Sequence, residues 1–146
     1  MLDDAGLLRL REILARRPAV EIDAPQHRRA CVLLPLVRSG SSWSVLFTRR
    51  AENMASHSGQ IAFPGGAVEE GESLDQAAIR EAEEEVGIPQ RHVEIIGRLD
   101  DVVTHSGFLV GVTASSCSGI WMATLVVADP SQPCGTLIVA TVYDPA

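Results

Sequence analysis

No lysine occurs in this sequence. Every basic side chain is an arginine, and the formal net charge is −7. A protein that coats nucleic acid carries a basic stripe or patch. The arginines form no such cluster, so no nucleic-acid partner is expected. Cysteine is scarce as well. Cys31, Cys117 and Cys134 are far apart and match neither a zinc nor a disulfide framework, which leaves reduced thiols in a cytoplasmic protein. Long apolar runs are also missing. The opening MLDDAGLLRLREILARRP is broken by charge throughout, so no secretory signal is expected. Ser106 to Ala128 is uncharged and long enough to cross a bilayer. Thr113, Ser115, Ser116, Ser118, Gly119 and Thr124 dilute it, and no membrane span is expected. Charge itself is missing late in the chain: from Gly111 onward only Asp129 and Asp144 carry any. No internal repeat is visible.

What remains fits a single domain of 146 residues, 46% apolar and 21% charged, large enough to bury a core. Leu7, Leu8, Leu10, Ile13 and Leu14 recur at helical spacing within Asp4 to Arg17. This predicts an amphipathic helix ended by Pro18, with Arg9, Arg11, Arg16 and Arg17 on a solvated face. ACVLLPLV, Ala30 to Val37, predicts a buried strand in which Pro35 marks a bulge or an edge position. Turn residues Arg38 to Ser42 then lead into a returning strand from Trp43 to Thr48. Arg49 to Gly59 is expected as a loop and Gln60 to Phe63 as a short strand. Ser73 and Gln76 form a capping box for a helix striped with Leu74, Ala78, Ala82 and Val86. Gly87 suits the left-handed C-terminal position, and Pro89 prevents continuation. Strands are expected over Val93 to Leu99, within Val102 to Val110, and over Gly135 to Tyr143.

The central helix carries the chemistry. Glu81, Glu84 and Glu85 fall within an arc of roughly 100° on its surface, with Glu83 about 160° away from Glu81. Like charges at this spacing repel by a few tenths of a kcal/mol per pair, and a divalent cation would relieve them. Carboxylates are hard oxygen donors suited to Mg²⁺ or Mn²⁺. Glu72 can reach the same region from the preceding loop. Gly65 and Gly66 free a backbone carbonyl to join the set, and Arg80, at i,i+4 from Glu84, can orient that carboxylate. Such a site suits attack of water on a phosphoanhydride.

The spacing goes further than an acidic face. Gly66, five residues, Glu72, seven residues, then Arg80-Glu81-Ala82-Glu83-Glu84-Glu85-Val86-Gly87-Ile88 is similar to the Nudix box, and the chain resembles a Nudix hydrolase. The resemblance implies an α/β fold, an α/β/α sandwich around a mixed β-sheet. It also implies hydrolysis of a nucleoside diphosphate linked to another moiety. By position in the box, Glu81 and Glu85 would be the principal metal ligands and Glu84 a further ligand or the base acting on water. Arg80 would orient them, Glu72 would belong to the catalytic set, and Gly66 would be a backbone ligand.

Upstream, Leu46-Phe47-Thr48-Arg49-Arg50-Ala51, then Gly59 and Phe63-Pro64-Gly65-Gly66, resembles the signature of the coenzyme A pyrophosphatase branch. Two positions depart: Phe47 replaces Leu, and Ala55 stands where Arg is expected. Arg49 and Arg50 can address phosphates bidentately, and Gln60, with His57, can line the loop over the substrate. The resemblance implies coenzyme A or an acyl-coenzyme A as substrate, giving 3′,5′-ADP and 4′-phosphopantetheine, with ADP-ribose as an alternative. His105, Glu94, Asp100 and Asp101 are not expected to be catalytic. The reading divides the chain into an N-terminal helix and lead-in (1–25), a Nudix domain (26–110) and a divergent or frameshifted segment (111–146). That segment leaves open an incomplete, non-catalytic domain that binds metal and nucleotide.

Overall fold

A computed structural model describes residues 2–49, 61–119, 121–127 and 137–143. Its centre is a mixed sheet between two helices. Strand β1 (Arg28–Ser39) pairs antiparallel with β2 (Ser42–Val45) and, over residues 30–32, with β5 (Gly65–Ala67). On its other side β1 runs parallel to β7 (Phe108–Cys117), which pairs antiparallel with β6 (Val93–Val103). Helix α1 (Asp4–Arg16) covers one face and α2 (Leu74–Val86) the other. β3 (Thr48–Arg49) pairs with β4 (Ile61–Ala62), and β8 (Trp121–Val127) with β9 (Leu137–Tyr143).

β1 is apolar from Ala30 to Val37 because both of its faces are buried there. Leu34 and Leu36 pack with Leu7, Leu14, Trp43 and Ile96 under α1. Cys31 and Leu33 pack with Ala77, Ala78 and Ala82 of α2. Pro35 is neither bulged nor on an edge strand: it pairs with Ser115 in the interior parallel ladder. The Leu33 amide donates to the Pro64 carbonyl (2.8 Å), and the Pro35 carbonyl accepts from the Leu46 amide (3.0 Å). Pro35 therefore falls between the segments paired with β5 and β2, where its missing N–H breaks no ladder bond.

α2 forms as its caps dictate. Ser73 Oγ accepts from the Gln76 amide (3.2 Å) while Gln76 Oε1 accepts from the Ser73 amide (2.9 Å). Gly87 closes the helix at φ 70°, a left-handed conformation that glycine adopts without a Cβ penalty. The helix lies close to the sheet because Gly111 of β7 leaves room for Leu74.

The arginines of α1 are not simply solvated. Arg11 makes a two-pronged bond to Glu94 (2.6 and 2.6 Å) and donates to Ser116 (2.8 Å), and Arg17 pairs with Asp100 (2.6 Å). The lead-in after α1 follows the β6 edge. The Val20 and Ile22 amides donate to Asp100 and Asp101, and the Asp101 amide donates back to Val20. Val102 and Val103 end β6, and the strand expected within Val102 to Val110 is the start of β7. Thr104 to Gly107 form a turn, and β7 begins at Phe108 and runs through the 110/111 position to Cys117. Among the described residues no helix is long and apolar enough to cross a membrane.

Candidate active site

The site is built where α2 packs against β5. Arg80 is its hub. Nε and Nη2 grip both oxygens of Glu72 (2.9 and 3.1 Å), Nη1 reaches Glu81 Oε1 (2.9 Å), and Nη2 also donates to the Ala67 carbonyl (3.1 Å). Its contact with Glu84 is longer, 3.4 Å. The partner that Arg80 orients most firmly is thus Glu72, eight residues back across the loop–helix junction, rather than Glu84. Side-chain exposure follows the same division: 15% for Glu72 and 16% for Glu81, against 59% for Glu84. The fork from Arg80 and the Glu69 amide hold the Glu72 carboxyl below the usual range, and Glu72 in turn raises the already high pKa of Arg80.

Glu81 and Glu85 are one turn apart, about 40° around the axis, and both meet the Gly65–Gly66 backbone. Glu85 Oε2 accepts from the Gly65 amide at 3.2 Å. The Glu81 carboxylate lies where a side chain on Gly66 would begin. Glu83, pointing elsewhere, accepts from Gln90 Nε2 at 2.7 Å.

The two glycines have different jobs. Leu33 N–Pro64 O and Val68 N–Arg29 O bonds flank the Cys31–Gly66 pair, so the Gly66 carbonyl faces β1. There it accepts from Cys31 Sγ at 3.5 Å. Gly65 turns its amide the other way, toward Glu85, and its carbonyl with it. Alternation along β5 puts the Gly65 carbonyl on the side opposite that of Gly66. Gly66 contributes an absent Cβ. Cys31 is buried, and burial raises its thiol pKa, so it is a packing residue rather than a nucleophile.

Among the described residues, no three histidine, cysteine or acidic side chains stand together at metal-holding spacing. Arg80 holds Glu81, and the Gly65 amide holds Glu85. The donor chemistry nevertheless fits a hard divalent cation: carboxylate oxygens of Glu81 and Glu85, a backbone oxygen at Gly65, and the exposed Glu84 one turn from Arg80. A cleft of about 440 Å³ lined by Glu69, Glu70, Gln76, Ile79 and Gln90 shares only Glu72 and Arg80 with this face.

Of the residues expected to meet substrate, Arg49 ends β3, with its backbone opposite Ile61. Arg50, Ala55, His57 and Gln60 lie outside the described residues. His105 is exposed in the β6–β7 turn. Glu94, Asp100 and Asp101 are occupied in holding α1 and its lead-in.

The family model of the NUDIX domain matches residues 25–122. The chain belongs to the Nudix family. An uncharacterized Nudix hydrolase, NudL, of Enterobacter sp. (strain 638) is 50% identical over 95 residues, covering 64% of this chain and 49% of the relative. The NudL of Escherichia fergusonii is 45% identical over the same length, with the same coverage. The chain thus spans about half the length of the curated relatives it matches. Among solved structures, the Nudix hydrolase RenU of M. smegmatis aligns with a TM-score of 0.52 at 23% identity, over 77% of this chain and 70% of that one. A binary complex of a C. elegans Ap4A hydrolase aligns with a TM-score of 0.51 at 22% identity, over 60% and 64%. Both show the fold: an α/β Nudix sandwich around a mixed sheet.

Proposed function

We propose that this chain is a metal-dependent pyrophosphohydrolase that cleaves the diphosphate of coenzyme A or an acyl-coenzyme A into 3′,5′-ADP and (acyl-)4′-phosphopantetheine. The observation that carries the hydrolase reading is the Arg80 hub, which gathers Glu72 and Glu81 beside Glu85 and the Gly65 backbone. The coenzyme A reading rests on Leu46 to Ala51 and Phe63 to Gly66, with Ala55 as its departure.

In this proposal Glu81, Glu85 and the Gly65 carbonyl would hold Mg²⁺ or Mn²⁺, with Glu84 available as a further ligand. When bound there, such a cation would neutralise charge on the diphosphate and lower the pKa of a nearby water. Glu84, exposed beside Arg80, would take the attacking water's proton as the new P–O bond forms and the bridging P–O bond breaks. Arg80 keeps Glu72 and Glu81 from swinging toward the phosphates. Arg49, Arg50 and Gln60 bind the phosphate oxygens, Arg by its two-pronged geometry. The reaction is placed in the cytoplasm.

The test incubates the purified chain with Mg²⁺ or Mn²⁺ and coenzyme A and separates the products. Equal amounts of 3′,5′-ADP and 4′-phosphopantetheine are expected. Intact coenzyme A alongside cleaved ADP-ribose would overturn the substrate. Failure to cleave any nucleoside diphosphate derivative would overturn the enzyme in favour of a binding domain.

A further inference from the structure

Phe47 and Phe63 lie opposite each other just beyond one end of the β3–β4 ladder and stack, with ring centroids 4.8 Å apart and an interplanar angle of 25°. The next pairs are Thr48 with Ala62 and Arg49 with Ile61, and Thr48 Oγ1 donates to the Ala62 carbonyl at 2.9 Å. The chain neighbours Leu46 and Pro64 occupy the fully buried positions. Both rings are only partly buried, so aromatic surface remains open to solvent. Phe63 is two residues from Gly65, whose amide holds Glu85. Two residues span at most about 7 Å, a reach comparable to that between the phosphates and the base of one nucleoside diphosphate. A leucine at position 47, as in the resembling signature, would have no ring to stack.

We propose that the Phe47–Phe63 stack is the platform on which the base of the nucleoside half lies, a specificity element that recognises a planar heterocycle beside the diphosphate site. The proposal rests on the hydrolase reading for the place of the phosphates. The physical case is that an aromatic face offers a base dispersion and quadrupole contact that does not depend on its hydrogen-bonding edge. Two rings already stacked are fixed in orientation before the ligand arrives, which lowers the ordering cost of binding. The platform favours any nucleoside diphosphate over a diphosphate without a base. It does not by itself choose between coenzyme A and ADP-ribose, which both carry adenine.

The experiment titrates the full chain, with Mg²⁺ present, against ADP and against methylenediphosphonate, which has the phosphate oxygens and no base. Calorimetry is expected to show that Phe47→Leu and Phe63→Leu each weaken ADP about fivefold or more and leave methylenediphosphonate unchanged. Unchanged ADP affinity, or an equal loss for both ligands, overturns the platform. The chain contains three phenylalanines, which makes ring-labelled NMR of the wild type a second measurement that needs no variant to fold. Ring signals of Phe47 and Phe63 should move with ADP and not with methylenediphosphonate, while Phe108 stays fixed. Movement with neither ligand, or of Phe108 alone, overturns the proposal. A wild-type chain that binds neither ligand overturns the diphosphate site and the platform with it. A wild-type chain that binds methylenediphosphonate while its rings ignore ADP overturns the platform alone.

Discussion

Replacing Gly66 and Gly65 by alanine, one at a time, separates the site from the fold. Gly66 is not among the glycines with positive φ, so alanine fits its backbone without strain. Its new Cβ would lie 2.5 Å from Glu81 Cδ and 2.7 Å from Oε2, where ordinary contact begins at 3.4 Å. The carboxylate must retreat by about 1 Å, a displacement that can cost roughly 100-fold in rate when it misplaces a reacting constellation. Because the obstructed atoms are the tip of a flexible side chain, the backbone can stay. The lower unfolded-state entropy of alanine contributes about 0.4–1 kcal/mol in the opposite direction, so stability should change little.

Gly65→Ala is different. Its Cβ would meet the Cys31 carbonyl and, at 2.9 Å, Val32 Cα. These are backbone atoms of the central strand, and overpacking of this kind typically costs about 1–3 kcal/mol. Thermal unfolding and turnover with Mg²⁺ are to be measured on both variants. Gly66→Ala should melt close to wild type with turnover down about 100-fold, and Gly65→Ala should melt markedly lower. Wild-type turnover in Gly66→Ala would refute the placement of Glu81 in the catalytic set. A loss of stability in Gly66→Ala equal to that of Gly65→Ala would refute the division of labour between the glycines.

Glu85→Gln and Glu84→Gln should each lower turnover by about 100-fold or more with an unchanged melting temperature, and near wild-type rates in both would remove the metal and base assignments. Acid should unfold the chain through its paired carboxylates. Arg80 bonding depresses Glu72 from an ordinary 4.5, Arg11 bonding depresses Glu94, and Arg17 bonding depresses Asp100 from 3.8. A depressed folded-state pKa gives stability that is fully present above the ordinary value and is lost as pH falls through the lowered one. Urea midpoints should therefore be level above the ordinary carboxylate range and fall below it. Arg80→Met should shrink that fall by removing the Glu72 contribution, and identical acid profiles for the two proteins would contradict it.

The parts of the molecule that could be read from sequence are those fixed by local interactions. Ser73, Gln76 and Gly87 act within a few residues of themselves, so the bounds of α2 follow from the sequence. The apolar run of β1 likewise reports burial on both faces. Pro35 could not be placed, because whether a missing amide matters depends on which strands lie beside it, and β5 and β2 share that edge in succession. The arginines of α1 looked solvated because Arg11 and Arg17 find Glu94 and Asp100 83 residues away. The turn before β7 did carry a local signal. Gly107 has φ 84°, and the Phe108 amide donates to Thr104 Oγ1 at 3.0 Å, a polar side chain capping a tight turn.

The acidic cluster shows why residue types alone did not assign roles. As a pattern, Glu72, Glu81, Glu84 and Glu85 are four equivalent carboxylates near one cation. In space they are unequal, and Arg80 makes them so. Its guanidinium has donors enough to grip Glu72 with two prongs, hold Glu81 with a third and still reach the Ala67 carbonyl. This offsets the like-charge repulsion along α2, with only a longer contact, 3.4 Å, to Glu84. Glu72 is consumed in the process. A loop carboxylate one residue before the cap and an arginine two turns into the helix meet only because the box keeps seven residues between them. That spacing therefore encodes an ion pair that stiffens the loop–helix junction. A lysine at position 80 would keep the charge but present a single ammonium to both Glu72 and Glu81, so the geometry argues that the box needs the fork of arginine, not merely its charge.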